Sequence, residues 1–212
     1  PNASSRKRYG QHPTQSNKKI REKMTDQKTL YTVAVFSENC VGLLNQVAII
    51  FTRRKLNIET LTGSPSSIKG IHKTTITTYS DEETIKKLVL QIEKRIDVLK
   101  AFYYTDNEIV FREVALYKVP TRKLMDEQNL EEIIRRHNAK ILEITQEYTV
   151  IEKTGQSAEI EALFEEFKGY GIRQFVRSGR VAITKSPQEY VTMFIRDQEE
   201  RRKPKELWNA KG

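Results

Sequence analysis

Cysteine is almost missing from this chain: of 212 residues, only Cys40 carries a thiol. A single thiol excludes an intramolecular disulfide and any multi-cysteine zinc site. Histidine is also sparse, and His12, His72 and His137 are too scattered to form a pair at metal-ligand spacing. No apolar run approaches the ~18 residues that a membrane span needs. The sequence holds no Walker phosphate loop, no G-x-S-x-G elbow and no G-x-G-x-x-G turn after a strand. An enzyme needs a convergent set of acid, base, nucleophile or metal groups. The paired carboxylates Glu131-Glu132 and Glu165-Glu166 read as solvated helix faces, and His72 and His137 as structural. These absences predict a binding protein without metal or catalytic residues, soluble and cytoplasmic.

Charged residues make up 31% of the chain and hydrophobic ones 37%, a mixture that predicts compact domains with polar tails. The net charge of +9 is unevenly placed, with +6 in residues 1–29, +1 in residues 187–212 and only +2 between them. Such a basic tail can hold polyanions through released counterions, but it is not a folded recognition surface. It lacks the apolar core of a secretory signal, so it is read as a disordered segment outside the fold. The predicted strands also lack the aromatic-plus-basic cluster of an RNA-binding sheet.

The richest segment is Leu30 to Leu61, LYTVAVFSENCVGLLNQVAIIFTRRKLNIETL. It predicts a strand over 31–37, a tight turn, and a helix with Leu43, Val47, Ile50 and Phe51 on one face. A second strand follows from Asn57 to about Thr62. The loop 63–70 precedes a threonine-rich strand over 71–79. Ser80 with Glu83 matches a capping box for a helix striped by Ile85, Leu88, Val89, Ile92 and Ile96. Val98 to Tyr104 closes the unit, giving the order βαββαβ. A second, similar unit follows the turn residues Thr105-Asp106-Asn107. Its strands are read at 113–119, 140–144, 148–153, 172–176 and 181–183, with helices around 127–137 and after Ser157. A short helix through Val191, Phe194 and Ile195 is expected near the end, interrupted by Pro204, with Trp208 on a frayed terminus. The fold class is therefore α+β, with two ferredoxin-like units at 30–105 and 106–186 and a charged, partly helical segment at 187–212.

A helix start leaves backbone N–H groups unpaired and partly positive, which suits a carboxylate. Asn39 can cap that end or hold a ligand, and Gly42 admits close backbone approach. The βαββαβ plan is expected to bring this turn near Asn57. Two carboxamides and a helix N-terminus would then meet both charged ends of a free amino acid, with Val41, Leu43, Leu44 and Ile58 against an aliphatic side chain. Cys40 at a helix start raises the option of a reactive thiol, against the plainer reading of a small side chain lining the pocket.

The motif ENCVGLLNQVAIIFTRRKLNIETLT resembles the first ACT domain of acetolactate (acetohydroxyacid) synthase small subunits. The likeness continues through SSIKGIHKTTITT, KRIDVLK and EIVFREVALYKV. It ends with AKILEITQEYTVIEKTGQSAEIEALFEEFKGYGIRQFVRSGRVAITK, so it spans about Leu30 to Lys185. The resemblance implies a non-catalytic regulatory partner of a separate catalytic subunit that uses thiamine diphosphate, magnesium and FAD. That enzyme condenses pyruvate with pyruvate or 2-oxobutyrate on the way to branched-chain amino acids. The family's effector motif falls on Asn39, Gly42 and Asn57, with Leu43, Leu44 and Ile58 beside them, and valine is the usual inhibitor. It further implies a homodimer of side-by-side ACT domains with effector sites shared between chains. Cys40-Val41 replaces a more polar pair, and Asn45 stands where a small serine is frequent. A stand-alone ACT-domain amino-acid sensor is the alternative reading.

Overall fold

Tyr31 to Ser37 is an unbroken buried run, as expected of a central strand covered on both faces. It lies in β1 (Thr29–Glu38), which pairs antiparallel with β3 (Ile71–Ser80) on one side and β4 (Val98–Tyr104) on the other. β2 (Thr60–Pro65) joins the far edge of β3, so the sheet order is β2-β3-β1-β4. The chain is seen in a computed structural model that describes residues 28–126, 130–188 and 190–202. Most of the segment read as a basic tail, together with Pro204 and Trp208, lies outside the described residues.

One face of this sheet carries α1 (Leu43–Arg53) and α2 (Glu82–Glu93). Leu43, Val47, Ile50 and Phe51 from α1 meet Ile85, Leu88, Val89 and Ile92 from α2 over Tyr31, Val33, Val35 and Ile76. The periodic stripes read from the sequence are these contacts. Three local readings change. The second strand starts at Thr60, because residues 54–59 form a loop in which Lys55 has φ 55. It continues through Gly63, Ser64 and Pro65, which were expected to form a turn; Pro65 is tolerated because β2 is an edge strand. The cap of α2 is Asp81, whose carboxylate accepts from the Thr84 N–H at 2.8 Å, in place of the expected Ser80. Ser80 is buried, and Ile96, one turn beyond the helix end, is fully exposed.

The second unit repeats the plan with β5 (Ile109–Pro120), β6 (Lys140–Ile144), β7 (Tyr148–Gly155) and β8 (Gln174–Arg177), in the order β6-β7-β5-β8. Its helices are α3 (Thr121–Asp126), α4 (Leu130–Arg136) and α5 (Ser157–Lys168); α3 was not anticipated. Tyr117 anchors the core: its ring meets Phe167 and Phe175, and its hydroxyl donates to the Ile160 carbonyl at 2.7 Å.

β5 is longer at its start than expected because its first four residues serve a second pairing. Residues 109–112 pair with β9 (Val181–Thr184), whereas 113–120 pair with β7 and residues 115–118 also with β8. After β9 the chain returns to the first unit. In α6 (Tyr190–Arg202), Val191 and Ile195 pack on Ala34, Phe36, Phe102 and Tyr104, covering the sheet face opposite α1 and α2. Among the described residues the path through the two α+β units thus starts on the first sheet and returns to it.

Candidate amino-acid site

The β1–α1 turn is built around Gly42, the N-cap of α1, at φ 87 and ψ −6. That left-handed conformation suits glycine and strains any β-branched or bulky residue. Among the described residues no side chain caps this helix, so Asn39 is exposed and does not serve as the cap. A Cβ built on Gly42 would meet nothing within 4 Å, so the turn is open on that side. Val41 is fully exposed and Leu44 half exposed, which leaves apolar surface beside the turn. Leu43 points the other way, into the core between α1 and the sheet.

Asn57 and Ile58 lie in the loop that leads into β2. The Asn57 carbonyl accepts from the Thr78 hydroxyl at 2.7 Å, and half-buried Ile58 packs against the first core. The strand register then overturns the expectation that the turn and Asn57 meet within one chain. β1 ends at Glu38 opposite Ile71, whereas β2 begins at Thr60 opposite Thr77. Those positions on β3 are six residues apart, or about 20 Å along a strand. The cause is α1, whose length returns the chain to the opposite end of the sheet before β2 starts. Asn39 and Gly42 therefore sit at one end of the unit, Asn57 and Ile58 at the other.

Cys40 is half-buried against the first core. Burial, followed by a hydrogen bond to Asp97 and the charges of Asp97 and Glu38, pushes its thiol up from the ordinary value. A thiol held protonated is a poor nucleophile, so the geometry favours the lining role over the reactive one. His137 Nε2 lies 2.6 Å from Glu166 Oε2, a contact between helices. Among the described residues no group of three His, Cys, Asp or Glu side chains is placed to hold a metal ion.

Among the described residues, two hollows border the contact between the units. An apolar cavity of about 110 Å³ separates the outer face of the first sheet from β9 and α6, between Ala34, Phe36, Phe102, Ala182 and Val191. A more open cleft of about 650 Å³ runs between the units, from Glu59, Thr60 and Leu61 to Glu113, Arg177 and Arg180. Neither contains a residue of the expected site. What the sequence did not reveal is the charged cluster in that cleft: Arg180 and Glu113 are both nearly fully buried and in contact, 67 residues apart. Only their paired burial marks them, and no local pattern carries it.

The tandem βαββαβ architecture, with a glycine-opened helix start in its first unit, defines a protein of ACT-domain type. A family model described as the AHAS small subunit-like ACT domain matches residues 33–100, and one described as the small subunit of acetolactate synthase matches 112–186. The acetolactate synthase small subunit of Bacillus subtilis is 32% identical over 163 residues, 76% of this chain and 93% of that protein. Its counterpart from Mycobacterium leprae is 30% identical over 74% of this chain and 93% of its own length. The crystal structure of the small subunit from Thermotoga maritima superposes with a TM-score of 0.68 at 27% identity, covering 75% of this chain and 99% of that one. The chain belongs to the acetolactate synthase small-subunit family.

Proposed function

We propose that the chain is the regulatory, non-catalytic partner of an acetolactate synthase catalytic subunit, which it activates and makes sensitive to valine or a related branched-chain amino acid. In this reading thiamine diphosphate, magnesium and FAD belong to the catalytic subunit. The observation that supports the effector site is the uncapped start of α1, with left-handed Gly42 at its N-cap and open space on the Cβ side of that glycine. A carboxylate placed there completes the first-turn N–H groups and meets the positive end of the helix.

The site is proposed to be shared by two copies, a reading supported by the separation of the two motif halves, about 20 Å along the sheet. β2 is an edge strand whose only strand partner among the described residues is β3, and it exposes Leu61. A two-fold axis normal to the sheet beside β2 reverses the ends of the second copy. It thereby carries the partner subunit's Asn57 toward Asn39 and Gly42. The effector then lies between a helix start of one subunit and a carboxamide of the other, with Leu44 and Ile58 lining its side chain. Cytoplasmic residence is part of the same proposal.

An effector shifts the pair only by its differential affinity for two arrangements, commonly ~1–3 kcal/mol. The direct test is reconstitution with the candidate catalytic subunit and measurement of acetolactate formation with and without valine. Gly42→Asp places a side chain and a negative charge where the ligand carboxylate sits. Calorimetry is expected to show valine binding abolished in that variant, and retained binding would refute the site.

A further inference from the structure

We propose that the connection between β8 and β9, Ser178-Gly179-Arg180, is the coupling latch that carries effector binding in the first unit to the second. This inference rests on the regulatory reading above and says how its signal travels.

The Arg180 side chain is buried and joins three parts of the chain at once. Its Nη1 donates to Asp106 Oδ1 at 2.6 Å, in the turn between the units, and to Thr32 Oγ1 at 3.3 Å, on β1 of the first sheet. Its Nε donates to Glu113 Oε1 at 3.2 Å, on β5 of the second unit. The guanidinium carbon stands 3.9 Å over the Phe111 ring. Glu113 is equally buried and also accepts from Ser157 Oγ at 2.8 Å and Arg177 Nε at 2.5 Å. A planar fork with several donors in fixed directions fits this multipoint role, and a flexible ammonium does not.

Gly179 supplies the mechanical contact. A Cβ built on it would lie 2.2 Å from Thr62 Oγ1 and 3.2 Å from the Leu61 carbonyl carbon and oxygen. The loop is thus pressed against β2 with no room for one methyl group. On its other side, Ser178 is fastened to β5 twice: its N–H donates to the Val114 carbonyl at 2.8 Å, and its Oγ accepts from the Val114 N–H at 2.9 Å. Leu61 and Thr62 lie four and five residues beyond Asn57. A displacement of β2 caused by a ligand on Asn57 and Ile58 therefore meets Gly179 directly. The loop cannot yield gradually, because a shift that strips Arg180 of Asp106 or Thr32 leaves a buried charge short of partners. Close packing and a multipoint buried ion pair give the junction discrete arrangements, which transmission between sites requires.

The test measures three quantities on the full chain: valine affinity by calorimetry, valine inhibition of the reconstituted holoenzyme, and thermal stability. Gly179→Ala and Arg180→Lys are expected to keep valine affinity while the concentration for half inhibition rises about tenfold, within the range of ordinary allosteric couplings. Adding Thr62→Ala to Gly179→Ala removes the closest clash, and inhibition is expected to return toward wild type. A purely structural loop would lower stability and leave the concentration for half inhibition unchanged. Unchanged inhibition in both single variants would overturn the latch, as would parallel loss of valine binding and inhibition. A wild-type holoenzyme that ignores valine would overturn the effector reading itself, and the latch with it.

Discussion

Gly42 and Gly179 are needed for opposite reasons. At Gly42 the backbone turns left-handed at φ 87 while the space around it stays open; at Gly179 the missing side chain makes room for β2. The first glycine belongs to a motif legible in the sequence, because a glycine before an amphipathic helix marks a turn. The second lies in the gap between the strands read at 172–176 and 181–183, and the strand it presses against lies more than a hundred residues earlier. Separations of 74 and 67 residues hid the contacts of Arg180 with Asp106 and Glu113, each an ordinary surface residue to any local reading. Tyr117 gives a residue-scale prediction. Burial pushes its hydroxyl up to about 12 from the usual tyrosine value near 10. Since the fold prefers the neutral phenol, its contribution is complete below pH ~10 and disappears as pH rises through about 12. Tyr117→Phe removes the hydrogen bond to Ile160, at a cost of ~1 kcal/mol near neutral pH. Urea titrations of both proteins are expected to show that gap closing between pH 10 and 12.

At the scale of elements, legibility followed periodicity. The stripes of α1, α2 and α5 and the strands β1, β3 and β4 came through because their spacing repeats and their buried faces face a core. Boundaries that depend on single hydrogen bonds were harder. Ser80 and Asp81 are both good capping residues, and the choice was settled by Ser80 ending β3 with its side chain buried. Asp81→Ala is accordingly expected to cost ~1 kcal/mol of stability, whereas Ser80→Ala disturbs no cap. Chemical denaturation of the two variants separates these assignments. The start of β2 was placed too early because Ile58 extends the run of strand formers that begins at Thr60, whereas residues 56–59 follow a left-handed Lys55 and form a loop. That shift leaves Asn57 in a loop, and the length of α1 puts this loop at the sheet's far end.

For the whole molecule, the proposed effector site is one shared by two copies. A lone chain holds half of the motif at each end of its first sheet, so effector affinity is expected to follow the monomer–dimer equilibrium. Leu61→Lys sets a charge on the exposed edge of β2, where natural sheets use lysine to block pairing. Sedimentation is expected to show dissociation toward monomer, with valine binding lost in parallel at the same protein concentrations. Retained binding in a fully monomeric variant would place the effector elsewhere.

The return of α6 to the first sheet also bears on how the polypeptide is made. When Tyr104 leaves the ribosome, the first unit has every strand it needs, yet Ala34, Phe36 and Phe102 still look into water on the uncovered side. Their cover, Val191 and Ile195, is translated only after the whole second unit. Throughout that interval the nascent chain displays a greasy plateau, a window for chaperone capture or for mispairing between neighbouring ribosomes.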